Sequence, residues 1–135
     1  MGSRRAILRS TVAILLGSVA LSACDGSSDP KPVVKSYLNA LASGDGTTAC
    51  KLLDPKAINK LLGSAPHGQS CSTLLSQVNK LLPASEKQAL QSAQVTGSST
   101  SGNTAKVTVS ISGKTRTVNL IQSAGNWVIT SGAAA

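Results

Sequence analysis

Apolar residues recur at helical spacing through the first half of the chain. A first helix is predicted by the repeat at Val33, Val34, Tyr37, Leu38 and Leu41. Asp29-Pro30 precedes this repeat as a helix cap followed by proline, and residues 43–46 (SGDG) end it. The pattern therefore predicts an amphipathic helix at the start of the folded part of the chain.

Further helices are predicted as far as residue 91. A short one covers residues 48–53, and Asp54-Pro55 repeats the cap-plus-proline device before another that ends at Gly63. Ser70 caps a fourth helix, whose apolar stripe is formed by Cys71, Leu74, Leu75, Val78, Leu81 and Leu82. Pro83 breaks that helix, and residues 85–91 add one or two turns.

After Gln94 the apolar period changes from that of a helix to that of a strand. Val107 and Val109 alternate with polar residues, and residues 101–103 form a hairpin turn to a weaker strand over 94–100. Strands over 115–122 and 127–130 follow. The chain is therefore predicted to be α+β, with N-terminal helices packed on a curved antiparallel four-stranded sheet. The residues expected to share its core or line its cavity are Tyr37, Leu41, Leu75, Val78, Val107, Val109, Val118 and Trp127.

The first 23 residues have the pattern of a secretory signal. Arg4, Arg5 and Arg9 form a basic start, and the apolar run over 11–21 is too short to span a membrane. The segment ends in Leu21-Ser22-Ala23-Cys24, which resembles the lipobox of bacterial lipoproteins. The resemblance implies cleavage before Cys24 and diacylglycerol on its thiol. An ordinary secretory signal with an incidental cysteine is the alternative.

These boundaries divide the chain into four parts. Residues 1–23 are the expected signal peptide, 24–29 the lipidated cysteine and a flexible Gly/Ser-rich tether, 30–131 the α+β domain and 132–135 a tail. Residues 3–9 (SRRAILR) are similar to a twin-arginine export signal, and the general export route is the alternative. The expected location is the outer face of the cell membrane, with a lipid anchor.

Charge and composition narrow the choice of partners. The formal charge is +8, of which the three signal arginines supply part, and the remaining lysines are scattered along the chain. With no Phe, one Tyr and one Trp, the chain lacks the aromatic platform of single-strand nucleic-acid binders. The basic surface is expected to assist attachment to an anionic membrane, and no nucleic-acid partner is expected.

Cys50 and Cys71 are the cysteines that remain beside Cys24. An even pair in an exported chain indicates a disulfide. The competing interpretation adds His67 and makes a metal site, but three ligands at this spacing match no recognised zinc motif. No metal and no cofactor are expected.

Two motifs resemble the nuclear-transport-factor-two-like superfamily, whose members have a cone-shaped α+β fold. Residues 33–45 (VVKSYLNALASGD) are similar to its opening helix, and residues 125–129 (GNWVI) are similar to its last strand. With the lipobox and the cysteine pair, the chain resembles small cone-fold lipoproteins of actinobacterial type. The resemblance implies a cone between the helices and a curved sheet.

The same superfamily contains ketosteroid isomerase, whose oxyanion-donating tyrosine matches Tyr37. Its catalytic base, counted without gaps from Tyr37, falls at Leu61, and residues 94–131 contain no acid. Proton abstraction beside a carbonyl needs such a base, so no catalytic residue is expected.

The sequence therefore favours a non-catalytic lipoprotein that binds a small apolar ligand or an envelope protein partner. The alternatives are a structural or regulatory lipoprotein with a filled cone, and an isomerase-like enzyme. An open apolar cavity above roughly 300 Å³ favours a ligand, and a filled cone favours the structural role.

Overall fold

The computed structural model describes residues 29–132. The predicted signal peptide, the predicted lipidation site at Cys24, residues 25–28 of the predicted tether and residues 133–135 of the predicted tail lie outside this range. Within it, no helix is long and apolar enough to cross a membrane. Five helices precede a four-stranded antiparallel sheet, which confirms the predicted α+β fold.

The helices begin close to their predicted caps. They are α1 (Lys31–Ser43), α2 (Gly46–Lys51), α3 (Pro55–Gly63), α4 (Cys71–Leu81) and α5 (Ala84–Gln91). The Asp54 carboxylate accepts a hydrogen bond from the Lys56 amide at the start of α3, and the Ser70 hydroxyl accepts from the Thr73 amide at the start of α4. Such caps satisfy amide groups that have no partner within the helix.

Asp45 caps the short helix α2. Its carboxylate accepts hydrogen bonds from the Thr48 hydroxyl and the Thr48 amide, at 2.6 and 3.0 Å. These hydrogen bonds to the charged form lower the pKa of Asp45 below its usual value. The cap fixes the turn that carries the chain from α1 into α2.

The sheet is a simple meander in the order β1-β2-β3-β4. Its strands are β1 (Gln94–Ser101), β2 (Thr104–Ile111), β3 (Lys114–Ser123) and β4 (Asn126–Ser131). The register shifts between Val95 and Gly97 in β1 and between Asn119 and Leu120 in β3. Such irregularities bend and twist strands, so the sheet curves around the helices.

The outer edge of β4 is paired with the segment that precedes α3. The Ile129 amide donates to the Leu52 carbonyl and the Asp54 amide donates to the Ile129 carbonyl, both at 2.8 Å. These bonds form a parallel bridge between Leu53 and Ile129. Because Asp54 is also the cap of α3, the bridge determines where α3 begins relative to the sheet.

The core lies between α1 and the inner face of the sheet. Alternate strand residues point inward and are buried, namely Val107, Val109, Val118, Leu120, Trp127 and Ile129. Val34, Tyr37 and Leu38 of α1 belong to the same buried cluster. Burying a side chain of this size contributes about 1.5–3 kcal/mol, so this interface dominates the stability of the fold.

Helix α4 packs closely against the α1–α2 turn through small and polar residues. The Ser76 hydroxyl donates to the Gly44 carbonyl at 3.2 Å, and Asn79 donates to carbonyls at the end of α1. Gly46 approaches so closely that a Cβ there would overlap the Ser72 carbonyl oxygen. The contact seam of α4 therefore runs along Ser72, Ser76 and Asn79.

The predicted disulfide between Cys50 and Cys71 is confirmed. It joins α2 to the first residue of α4, with 6.1 Å between the two Cα atoms. Because the disulfide occupies both thiols, the competing metal site with His67 is wrong. Within residues 29–132, no three potential metal-ligating residues lie close enough together to hold an ion.

The prediction that Val78 belongs to the core is wrong. Val78 is 39% exposed, and Leu81, on the same apolar stripe of α4, is 83% exposed. The reason is the seam just described, since α4 turns its small polar residues and Leu75 toward its neighbours. The far edge of the apolar stripe consequently faces outward.

Candidate functional site

The centre of the cone is filled by side chains. The space between α1 and the sheet measures only about 20 Å³. Four of the residues expected to line a cavity do border it, namely Tyr37, Leu41, Val109 and Val118. A space of this size holds about one water molecule, so it cannot take a ligand.

A larger open space lies at the side of the cone, between α3 and β4, and we call it the α3–β4 groove. Its volume is about 310 Å³. Its lining consists of Tyr37, Leu53, Ala57, Lys60, Leu61, Ser64, Ile129, Thr130, Ser131 and Gly132. The volume falls at the lower limit of ordinary small-molecule sites, which begin at roughly 300 Å³.

The groove exists because α3 covers the sheet incompletely. The bridge between Leu53 and Ile129 holds the start of α3 at the edge of β4, but α3 has no fully buried residue. Ala57 and Leu61 are four positions apart and therefore lie on one face of α3. Both line the groove, so the apolar face of α3 is only partly covered by protein.

Tyr37 borders both the filled centre and the groove. It is 5% exposed, and burial raises the pKa of its hydroxyl to about 12. No hydrogen bond joins this hydroxyl to another of the described residues. The hydroxyl borders the groove and can donate a hydrogen bond, so a bound molecule with an acceptor atom could take it.

The charged groups near the groove are few. Lys60 of α3 lies on its wall, and no acidic residue lines it among residues 29–132. Asp54, the buried acid nearest in sequence to α3, accepts from the Lys56 amide as a helix cap. The lining is therefore mainly apolar, with one cation and a few hydroxyl groups.

Leu61 lines the same groove as Tyr37. Leu61 is the position at which the resemblance to ketosteroid isomerase would place the catalytic base. The side chain of Leu61 is a hydrocarbon. A hydrocarbon cannot accept a proton, so Leu61 supplies no base to the groove.

Comparison of the chain with protein-family models, with curated proteins and with solved structures finds no match.

The predicted residues and the groove overlap only at Tyr37. Leu75, Val107 and Trp127 are buried and line none of the three spaces described for residues 29–132. The groove residues on α3 and β4 were missed as a group. The amphipathic pattern of α3 could have indicated them. An amphipathic helix has one apolar face, and in α3 no residue on that face is fully buried.

Proposed function

We propose that this chain is a membrane-anchored extracytoplasmic lipoprotein without catalytic activity, whose α3–β4 groove binds a small apolar ligand. The groove is the observation that carries the proposal. It combines a volume of about 310 Å³ with a mainly apolar lining and the hydroxyl of the buried residue Tyr37. The proposed location at the membrane rests on the signal pattern and Cys24 in the sequence.

The chemistry of the groove defines the ligand. Leu53, Leu61 and Ile129 offer hydrocarbon surface, and its removal from water stabilises the complex by about 25 cal/mol per Å². The Tyr37 hydroxyl can donate one hydrogen bond. The best candidate is therefore a compact apolar molecule with a single hydroxyl or carbonyl oxygen.

A structural or regulatory lipoprotein is the second candidate function. The filled centre of the cone favours it, because only about 20 Å³ remains between α1 and the sheet. In that case the groove would be a consequence of the short α3, and the domain would act by docking to an envelope protein.

A thermal-shift screen separates these two functions. The probes are menthol, camphor and acetophenone, each a compact apolar molecule with one hydroxyl or carbonyl oxygen, and each is tested against the mature chain. A ligand that binds the folded state raises the melting temperature, so at least one probe should do so. Ala57→Trp, which fills the groove, should abolish the shift, whereas Lys56→Trp on the exposed side of α3 should retain it. Absence of any shift would favour the structural role.

The anchor is tested by Cys24→Ser in a bacterial host that processes lipoproteins. We expect the variant to accumulate as an unprocessed precursor and to lose its lipid. Normal maturation and membrane partition of the variant would contradict the anchor and leave the groove proposal intact. A lipid anchor of two or more chains suffices for stable attachment.

A further inference from the structure

A second open space, which we call the α5–β3 cleft, shares no residue with the α3–β4 groove. It lies between α5 and the hairpin of β2 and β3, with a volume of about 270 Å³. Its lining is formed by Leu82, Glu86, Ala89, Leu90, Ile111, Ser112, Lys114 and Arg116. Leu82, Leu90 and Ile111 also pack against the core, so one part of the cleft is continuous hydrocarbon.

Two cations lie on the inner face of the sheet at this cleft. Lys114 and Arg116 are two positions apart on β3, so they point to the same side. Arg116 pairs across the sheet with Val109, which is 1% exposed and faces the helices. The inner face of β3 therefore changes from apolar residues to two cations where it reaches the cleft.

The folded chain does not neutralise these cations by ion pairing. Among residues 29–132, Lys31 and Asp29 form an ion pair, with nitrogen and oxygen within 4.0 Å of each other, and neither Lys114 nor Arg116 takes part in it. Glu86 lines the same cleft but forms no ion pair with Lys114 or Arg116 at that distance. Charged residues often prevent the edge strand of a sheet from pairing with another chain. This does not explain Lys114 and Arg116, because β3 lies between β2 and β4 and is not an edge strand.

We propose that the α5–β3 cleft binds an anionic amphiphile, namely a carboxylate or phosphate monoester attached to an alkyl chain. Lys114 and Arg116 receive the anionic head, and Leu82, Leu90 and Ile111 receive the first part of the chain. Arginine suits such a head because its planar guanidinium matches carboxylate and phosphate oxygens. The volume fits a head group and a short stretch of chain rather than a whole lipid.

The proposal is independent of the groove and of the lipid anchor. It is tested by calorimetric titration of the mature chain with dodecanoate and dodecyl phosphate below their micelle concentrations. Dodecanol is the neutral matched probe, and inorganic phosphate is the head without a chain. We expect both anions to bind at least about tenfold more tightly than dodecanol or inorganic phosphate, because they alone can use both the two cations and the hydrocarbon part of the cleft.

Variants locate the binding. Lys114→Gln with Arg116→Gln should weaken anion binding about tenfold or more, and Glu86→Gln should strengthen it by removing a like charge. Lys106→Gln is the matched control, because Lys106 is exposed and lies between the buried residues Ala105 and Val107 on β2, on the opposite face. Ala57→Trp should also leave anion binding unchanged.

Three results would overturn the proposal. Equal affinity for dodecanol and dodecanoate would show that Lys114 and Arg116 do not contribute to binding. Binding of inorganic phosphate as tight as dodecyl phosphate would indicate a free-anion site. An equal loss of anion affinity in the Lys106→Gln variant would indicate that the anions are attracted to the basic surface in general. The melting temperature of each variant checks that altered binding does not reflect unfolding.

Discussion

The side-chain amide of Asn79 on α4 donates a hydrogen bond to the carbonyl oxygen of Leu41 in α1, with 2.6 Å between nitrogen and oxygen. The same nitrogen lies 2.9 Å from the carbonyl oxygen of Ala42. Carbonyl groups in the last turn of a helix have no partner within the helix. Asn79 thus caps α1 from a different element and fixes α4 against the helix that carries Tyr37.

Replacing Asn79 by Ala should lower the free energy of unfolding by about 1–3 kcal/mol, because two partly buried carbonyls lose their donor. Urea denaturation followed by circular dichroism measures the change. Asn59→Ala is the matched control, since Asn59 is exposed on α3. Equal stability of the two variants would show that the cap contributes nothing.

Replacing Gly46 by Ala should also destabilise the fold, by roughly 1–3 kcal/mol through overpacking. The new methyl group would overlap the Ser72 carbonyl oxygen, which is backbone and cannot move aside without shifting α4. Gly63→Ala provides the comparison, because nothing lies within 4 Å of a Cβ there. We expect that variant to be neutral or slightly stabilised. If the Gly46→Ala and Gly63→Ala variants had equal free energies of unfolding, the close approach of α2 and α4 would be contradicted.

Removing the disulfide should reduce stability without changing the fold. The bridge closes a loop with a sequence separation of 21, for which the chain-entropy model gives about 3 kcal/mol. The Cys50→Ala/Cys71→Ala double variant and the reduced wild-type protein should be destabilised equally. Reductant should then have no effect on the double variant. Two free thiols in unreduced protein would refute the bridge.

Tyr37 is the single tyrosine of the chain, so its titration can be followed by tyrosinate absorbance. The folded protein should titrate with a pKa of about 12, whereas the urea-unfolded chain should titrate near the ordinary value of about 10. A folded pKa near the ordinary value would contradict the burial of the hydroxyl.

The raised pKa of Tyr37 also has a consequence for stability. Below about pH 10 the Tyr37 hydroxyl keeps its proton in both the folded and the unfolded state, so its full contribution to the free energy of unfolding is present. As pH rises from about 10 to 12, the unfolded chain releases the proton first, and the free energy of unfolding falls. Tyr37→Phe lacks the proton, so it should lose less stability than the wild type over this interval.

Local signals in the sequence predicted most of the elements. Asp54-Pro55 determines the start of α3 by its own chemistry, and the alternation of Val107 and Val109 determines which side of β2 is buried. These features depend on neighbouring residues alone. They were therefore accessible without knowledge of the three-dimensional contacts.

Long-range contacts explain what the sequence did not predict. The period of α4 defines an apolar stripe but not which edge of it meets the rest of the protein, and the contact of Gly46 with Ser72 selects the edge that excludes Val78. The groove likewise depends on the bridge between Leu53 and Ile129, two residues far apart in the chain. No local pattern specifies that pairing.

The central claim is that the α3–β4 groove binds a small apolar ligand, and a methyl NMR titration tests it most directly. The mature chain with labelled Leu and Ile methyl groups is titrated with menthol, camphor and acetophenone in turn. We predict saturable shifts at Leu53, Leu61 and Ile129, with Leu82 and Ile111 of the α5–β3 cleft unaffected. No shift with any probe, or shifts confined to methyl groups outside the groove, would contradict the claim.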